Sequence, residues 1–181
     1  MIKGFVIRPM RLDDLDEVME IERAVFPMPW SLSSYRYELT QNDKGYYLVA
    51  RLKGEKAEGL LLGYGGFWLV QDEAHICTLA VRPGWRRKGL GELILISLLD
   101  WAVALGANVA TLEVRISNRP AQKLYSKYGF KIVGRRKRYY ANQEDALIMT
   151  AYGLTSPPFQ GMLRERRKEI RSKLSRLKEE R

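Results

Sequence analysis

Residues 79–92, LAVRPGWRRKGLGE, run from an apolar stretch through Pro83-Gly84 into Arg86, Arg87, Lys88, Gly89, Leu90 and Gly91, where a long apolar helix opens. Unpaired N–H groups at a helix start favour an anion, glycines let a ligand approach the backbone, and the three cations add counter-charge. The chemistry on offer is the holding of a pyrophosphate. The turn lacks the G-x-G-x-x-G of a dinucleotide fingerprint and the Gly-Lys-Ser/Thr of a nucleoside-triphosphate loop. A basic exposed turn whose glycines serve geometry alone is the competing reading. Further on, strand alternation puts Leu112, Val114 and Ile116 on one face and Glu113 with Arg115 on the other. A carboxylate among residues of buried type is either a proton acceptor or half of a salt bridge to Arg115 or another cation. His75, the sole histidine, shares its strand face with Cys77 and Leu79 by the same alternation. Cys77 is the sole cysteine, which excludes an internal disulfide and a cysteine-rich zinc site. An acyl-cysteine intermediate beside His75 is conceivable, but small-residue packing in an apolar strand accounts for Cys77 more simply.

These residues need a scaffold, and 181 residues at 46% hydrophobic and 29% charged supply one ordinary domain with its own core. No apolar run approaches the ~20 residues of a membrane helix, and MIKGFVIRP lacks the apolar stretch of a signal peptide. The reading is a soluble cytoplasmic protein with no membrane partner. A strand at 5–8 ends at Pro9. A helix capped by Asp13 follows, with Leu15, Val18, Met19 and residues 24–26 on its stripe. FPMPWS at 26–31 breaks it, and Ser31 caps a second helix, 32–41, with Tyr35 and Leu39 on one face. Strands at 46–51 and 60–70 flank a hairpin loop at 53–59, and 73–81 is a third strand. An apolar helix at 91–105 is ended by Gly106. A strand at 109–115, a helix at 119–128 closed by Gly129, and strands at 130–136 and 144–152 complete the pattern. The order β-α-α-β-β-β-α-β-α-β-β describes a mixed α/β or α+β domain, not a doubly wound nucleotide fold. There is no internal repeat.

Ser156-Pro157-Pro158 reads as a linker, dividing a domain at 1–154 from a helical extension at 155–181. The whole chain carries 31 Lys and Arg against 21 Asp and Glu, a net +10; the last 27 residues hold nine basic and four acidic side chains, half of that excess. Leu163, Ile170, Leu174 and Leu177 lie on one side of the tail helix. A basic tail on a near-ordinary domain suggests an anionic partner for the tail and separate chemistry for the domain. The alternatives for residues 162–181 are a solvated or domain-docked helix and an electrostatic contact with RNA, foremost the ribosome.

Arg-x-x-Gly-x-Gly after a strand resembles the acyl-CoA signature of the GNAT (Gcn5-related) N-acetyltransferases, and LEVRISNRPAQKLYSKYGF at 112–130 is similar to the second half of that family's core. PWS at 29–31 and RYYANQEDALIM at 138–149 narrow the resemblance to the RimI-like and archaeal branch of protein N-terminal acetyltransferases. It spans roughly residues 5–152.

The resemblance implies an α+β GNAT fold: a mostly antiparallel sheet splayed between its fourth and fifth strands, with helices on both faces. It implies direct transfer of acetyl from acetyl-CoA to an amine. Pantetheine would follow the backbone of Leu79, Ala80 and Val81, and the pyrophosphate would meet Arg86, Arg87, Lys88, Gly89, Leu90 and Gly91. Asn118 and Tyr125 are further cofactor contacts on the same ground. Glu113 is implied as the base acting through water, and Tyr125 as the acid at the thioester sulfur, ahead of the nearby Tyr128. In the archaeal relatives the histidine of this strand pairs with the strand glutamate, so His75 would share base duty with Glu113 or hold a metal with it. Two ligands fall short of the three or four of a zinc site, and no metal is expected. Trp30 and Tyr140, with Tyr139 beside it, align with positions that contact the entering peptide. Archaeal relatives favouring Met-initiated chains carry a glutamate in the first loop; Met28-Pro29 stands here instead, leaning toward small or apolar first residues.

An α-amine, with a reference pKa of about 7.7–8 against about 10.4 for lysine, is roughly a tenth neutral at pH 7. Lysine would cost over about 3 kcal/mol more to deprotonate. A water-relayed base therefore suits a protein N-terminus. The alternatives are a lysine or polyamine acetyltransferase, and an RNA- or ribosome-binding module built on the same fold without its chemistry.

Overall fold

Strands whose apolar residues occur on both sides must be covered on both sides, and the sheet of this protein is. The computed structural model describes residues 4–54 and 58–179, with side chains for all of these except Glu58 and 177–179. The strands are β1 (Phe5–Pro9), β2 (Gly45–Lys53), β3 (Glu58–Val70), β4 (Glu73–Val81), β5 (Val109–Arg115), β6 (Lys131–Arg136) and β7 (Ala146–Tyr152). The helices are α1 (Leu15–Val25), α2 (Leu32–Thr40), α3 (Leu90–Ala104), α4 (Arg119–Lys127) and α5 (Pro157–Glu179). The sheet order is β1-β2-β3-β4-β5-β7-β6. Among the described residues only β4 and β5 run parallel; the other neighbours are antiparallel.

Successive strand residues go to opposite faces. Leu48 and Leu62 join the larger core with α3 and α5. Val49 and Leu61 join a second core with Leu15, Val18 and Ile21 of α1 and Tyr35 of α2. Helices thus cover both faces, as the α+β expectation has it. α3 is apolar nearly all round because it is covered nearly all round: Leu90, Leu93, Ile94, Leu95, Ile96, Leu98 and Leu99 are all buried. It sits close on β3 because Gly65 has no side chain; a methyl there would lie 2.9 Å from both Ile94 Cγ2 and Leu98 Cδ1.

Two features of the sheet shape the site. The β4–β5 ladder runs from Glu73↔Val109 to Ile76↔Leu112 and stops, so residues 77–81 and 113–115 diverge. This is the splay between the fourth and fifth strands. The β3–β4 ladder steps from Gly66↔Thr78 to Phe67↔Ile76, leaving Cys77 as the extra residue of a bulge. Strict alternation puts Leu79 on the face of His75 and Cys77; the bulge reverses that. Cys77 packs toward α1 and α2, whereas Leu79 packs in the α3 core.

The chain departs from the sequence reading at two further places. A 3-10 turn at Leu12–Asp14 precedes α1, so Asp14 rather than Asp13 stands at the helix start. Residues 157 and 158 are not a linker. Both prolines open α5, where a first-turn residue has no helical use for its N–H. Leu163, Ile170 and Leu174, at 0%, 3% and 0% exposure, lie in the same core as α3. Arg167 meets both oxygens of Asp100 at 2.5 Å. Leu177 lies outside the residues whose side chains are described, as do positions 55–57 of the 53–59 loop. No described helix is long and apolar enough to cross a membrane.

Candidate active site

The fork between β4 and β5 leaves one backbone edge of residues 77–81 without a strand partner, while β3 holds the other edge through Gly63↔Val81, Tyr64↔Ala80 and Gly65↔Leu79. Unpaired strand amides and carbonyls take up an extended amide-bearing ligand as they would another strand. Leu79, Ala80 and Val81 lie on that edge. The turn beyond them has the backbone conformation that suits an anion. Pro83–Trp85 is a 3-10 turn, Arg87 takes φ 59° and Gly89 φ 98°, and α3 makes its first bond from Leu93 N–H to the Gly89 carbonyl, at 3.0 Å. Left-handed residues at such a turn point amides toward one concavity, and the helix-start amides of Leu90, Gly91 and Glu92 add to it. Arg86 and Arg87 are exposed. Arg86 Nε donates to the Val81 carbonyl at 3.3 Å, and Lys88 Nζ lies 5.0 Å over the Trp85 ring. Gly91 faces the fork: a methyl on it would stand 3.7–3.9 Å from Leu124, Val81 and Leu79. Asn118 spends its Oδ1 capping α4, accepting from Ala121 N–H at 3.2 Å.

At the crotch of the fork, His75 Nε2 lies 2.6 Å from Glu113 Oε2. Arg136 Nε stands 3.2 Å from Glu113 Oε1, and the Glu113 side chain is 9% exposed against 31% for His75. The His75 hydrogen bond, opposed by burial and aided by Arg136, holds the Glu113 carboxyl below its ordinary range. The carboxylate is therefore ionised at neutral pH, and His75 Nε2–H is the donor. Among the described residues nothing bonds His75 Nδ1. Arg115 takes no part; it pairs with Glu144 at 2.9 Å. Nor is there a third ligand, since among the described residues no three His, Cys, Asp or Glu side chains converge as a metal site. Burial pushes the Cys77 thiol up to about 12, which leaves little thiolate for nucleophilic work.

Tyr125 and Tyr128 now separate. Both are buried. Tyr128 donates to Glu92 Oε2 at 2.9 Å. Tyr125 packs at a tilt against Phe130, with ring centroids 5.8 Å apart, and among the described residues nothing hydrogen-bonds its hydroxyl, which burial pushes up to about 12.

An aromatic wall stands over the pair. Trp30 stacks on Trp68 at 6.4 Å and 21°, and Trp68 meets His75 edge-on at 5.9 Å. On the other side Tyr139 and Tyr140 meet at 5.1 Å, Arg115 lies 3.8 Å over the Tyr140 ring, and the charge of Glu113 reaches both tyrosines. Buried acids hold the wall in place. Glu22 accepts from Trp30 N–H at 2.8 Å and from the hydroxyls of Tyr35 and Tyr64. Glu38 accepts from Trp68 Nε1 and from Tyr47, each at 2.8 Å. Glu144 ties the β6–β7 hairpin to Ser117.

Sequence reasoning missed Trp68, Arg136, Glu22 and Glu38. Trp68 had a signal. The two-residue turn Gln71-Asp72 sets Val70 opposite Glu73 and hence Trp68 opposite His75. The others meet their partners only through the assembled sheet.

Comparison with known proteins bears on the family and the fold. Residues 15–130 match the model of the acetyltransferase (GNAT) family. The chain is 44% identical over 144 residues to a Bacillus subtilis protein provisionally named ribosomal protein bS18-alanine N-acetyltransferase, a match covering 79% of this chain and 92% of the relative. It is 32% identical to an N-alpha-acetyltransferase of Sulfurisphaera tokodaii, over 82% of this chain and 93% of that one. The crystal structure of the ribosomal-protein-S18-alanine N-acetyltransferase from Escherichia coli superposes with a TM-score of 0.71 at 31% identity, covering 82% and 94% of the two chains.

Proposed function

The chain belongs to the GNAT acetyltransferase family, and we propose that it transfers the acetyl group of acetyl-CoA directly to the α-amino group of protein N-termini. The observation that carries this reading is the His75–Glu113 pair at the crotch of the fork, walled by Trp30, Trp68, Tyr139 and Tyr140. The acyl donor fits the residues present. An open strand edge at Leu79, Ala80 and Val81 suits the pantetheine amides, and the helix-start amides with Arg86, Arg87 and Lys88 suit the phosphates. Acetyl-CoA supplies the activated acyl group as a thioester.

The protein's own groups then handle one proton and one developing charge. As the amine nitrogen bonds to the acyl carbon, its proton leaves through water to His75 Nδ1. Glu113 fixes the imidazole tautomer and steadies the imidazolium, with Arg136 keeping the carboxylate ionised. This divides the base duty that sequence reasoning placed first on Glu113. Tyr125 gives its hydrogen bond to the departing sulfur. A hydroxyl at about 12 is a weaker acid than a thiol at about 8.5, so it stabilises the thiolate as the C–S bond breaks and retains its proton. Tyr128, already bonded to Glu92, has no part.

The acceptor is read from the walls. Arg115 over Tyr140 and Arg136 over Tyr139 would repel a polyamine, whereas aromatic faces suit the first side chain and backbone of a peptide. The named activities of the relatives support a small first residue such as alanine.

The test is thiol release from acetyl-CoA with two matched peptides, one with a free N-terminus and no lysine, the other blocked and carrying an internal lysine. Turnover with the first alone is expected. Turnover with the second alone would keep the family and overturn the acceptor.

A further inference from the structure

The helix α5 passes beside the turn that opens α3. Ile170 and Leu174 of α5 are buried against the α3 core. A methyl on Gly89 would stand 3.4 Å from Ile170 Cδ1, 3.5 Å from Lys173 Cδ and 3.9 Å from Lys173 Cε. The stem of Lys173 therefore lies across the left-handed residue that opens α3, and the two glycines of the turn face opposite ways, Gly91 to the fork and Gly89 to α5.

The cations nearby sort into two groups. Arg166, Arg167, Lys168 and Lys127 are paired with Glu169, Asp100, Glu165 and Glu92. Lys173, Arg87 and Lys88 have no carboxylate partner among the described residues. Lys173 is exposed and its stem crosses the residue that opens α3, so its ammonium is within a few ångströms of that helix start, where an anion is favoured. We propose that α5 completes the acyl donor's phosphate site, Lys173 contributing a cation from a second element to the phosphates held at Gly89, Leu90 and Gly91.

The inference rests on the use of acetyl-CoA proposed above. It gives the tail a role within the domain, where its charge alone had suggested RNA. It also explains why the helix docks rather than floats: burial of Ile170 and Leu174 sets where Lys173 lies. Deleting 155–181 would not test it, because that would uncover Leu163, Ile170 and Leu174. Lys173→Met keeps the apolar stem on Gly89 and removes only the charge.

The experiment is calorimetric titration of the full chain with CoA and with 3′-dephospho-CoA, for the wild type, Lys173→Met, Lys173→Glu and, as a control on the outer face of α5, Lys168→Met. Thermal melts check that each variant folds. Lys173→Met is expected to weaken CoA binding about fivefold, the scale of one partly exposed charge contact, and Lys173→Glu to weaken it more. The difference should shrink as salt rises, and Lys168→Met should bind like the wild type. A loss seen with both ligands assigns Lys173 to the diphosphate; a loss with CoA alone assigns it to the 3′-phosphate. CoA binding within twofold of wild type in both folded Lys173 variants overturns the inference and leaves the family chemistry standing. So does weakened binding of a single-stranded RNA with CoA affinity intact, which would return the tail to a nucleic acid. A wild type that binds no CoA would overturn the donor reading itself.

Discussion

His75 and Glu113 meet at 2.6 Å one step past the last shared rung of the parallel strands. Within the ladder, His75 stands opposite Thr111 and Ile76 opposite Leu112; the contact to Glu113 is diagonal, across the point where pairing ends. The proposed proton acceptor and its orienting carboxylate thus sit where the sheet must open for a ligand. Glu113→Gln should lower kcat about 10²-fold or more, the usual scale of general-base loss, with little change in KM for acetyl-CoA. His75→Ala should do the same, and the double variant should be no worse than the poorer single one, because the two act as a unit. Steady-state kinetics at saturating peptide checks this. Multiplying losses would mean two independent bases.

Tyr125 and Tyr128 offer a paired test. Tyr125→Phe removes a hydroxyl with no partner among the described residues, so stability should hardly change while kcat falls about tenfold, as for loss of one hydrogen bond to developing charge. Tyr128→Phe breaks the bond to Glu92 and should cost about 1 kcal/mol of stability with kcat nearly intact. Urea melts beside initial rates separate the two. Equal kinetic losses would remove Tyr125 from the mechanism.

The parts legible in the sequence are those fixed by local rules. The element order, the glycine-bearing turn at 86–91 and the alternation that isolates Glu113 follow from period, punctuation and helix-start chemistry. The shape of the turn was legible because glycine placement and helix-start chemistry are local. The bulge at Cys77 was not, since an extra residue in one strand is defined only against its neighbour Gly66-Phe67. The buried acids Glu22 and Glu38 were not, because an amphipathic helix pattern records polarity but not which tyrosine across the sheet will satisfy it. Pro157-Pro158 misled for the opposite reason. Proline punctuates loops and helix starts alike, and the buried stripe at Leu163, Ile170 and Leu174 decides for the helix.

Glu22 is expected to act on substrate binding without touching substrate. It holds the backbone of Trp30 and the hydroxyls of Tyr35 and Tyr64 from a position 2% exposed. Glu22→Gln can accept fewer of those bonds and buries a donor among donors. It should cost about 1.5–3 kcal/mol of stability, the range for hydrogen bonds to a charged group. With the Trp30 loop loosened, peptide KM should rise several-fold while KM for acetyl-CoA stays put. A variant that loses stability but keeps its peptide KM would make Glu22 structural only.

Asp14 makes the stability of the fold depend on pH at the acid end. It is 2% exposed and accepts from Arg8 at 2.7 and 2.8 Å, from Arg51 at 2.9 Å and from Arg11 N–H at 2.7 Å, joining α1 to β1 and β2. Burial alone would raise its pKa; the bonds from Arg8 and Arg11 and the charge of Arg51 outweigh it, so the folded-state value lies below the ordinary 3.8. A depressed carboxylate contributes stability that is fully present above its unfolded pKa and is lost as pH falls through the folded one. Asp14→Asn should therefore cost about 2 kcal/mol at pH 7, where it strips charge-assisted bonds from two guanidinium groups. The gap to wild type should close as pH falls below 3.8. Urea unfolding of both proteins at pH 7, 5 and 3 measures it. A gap that stays constant across that range would mean Asp14 contributes through packing alone, and that the arginines at β1 and β2 find their energy elsewhere.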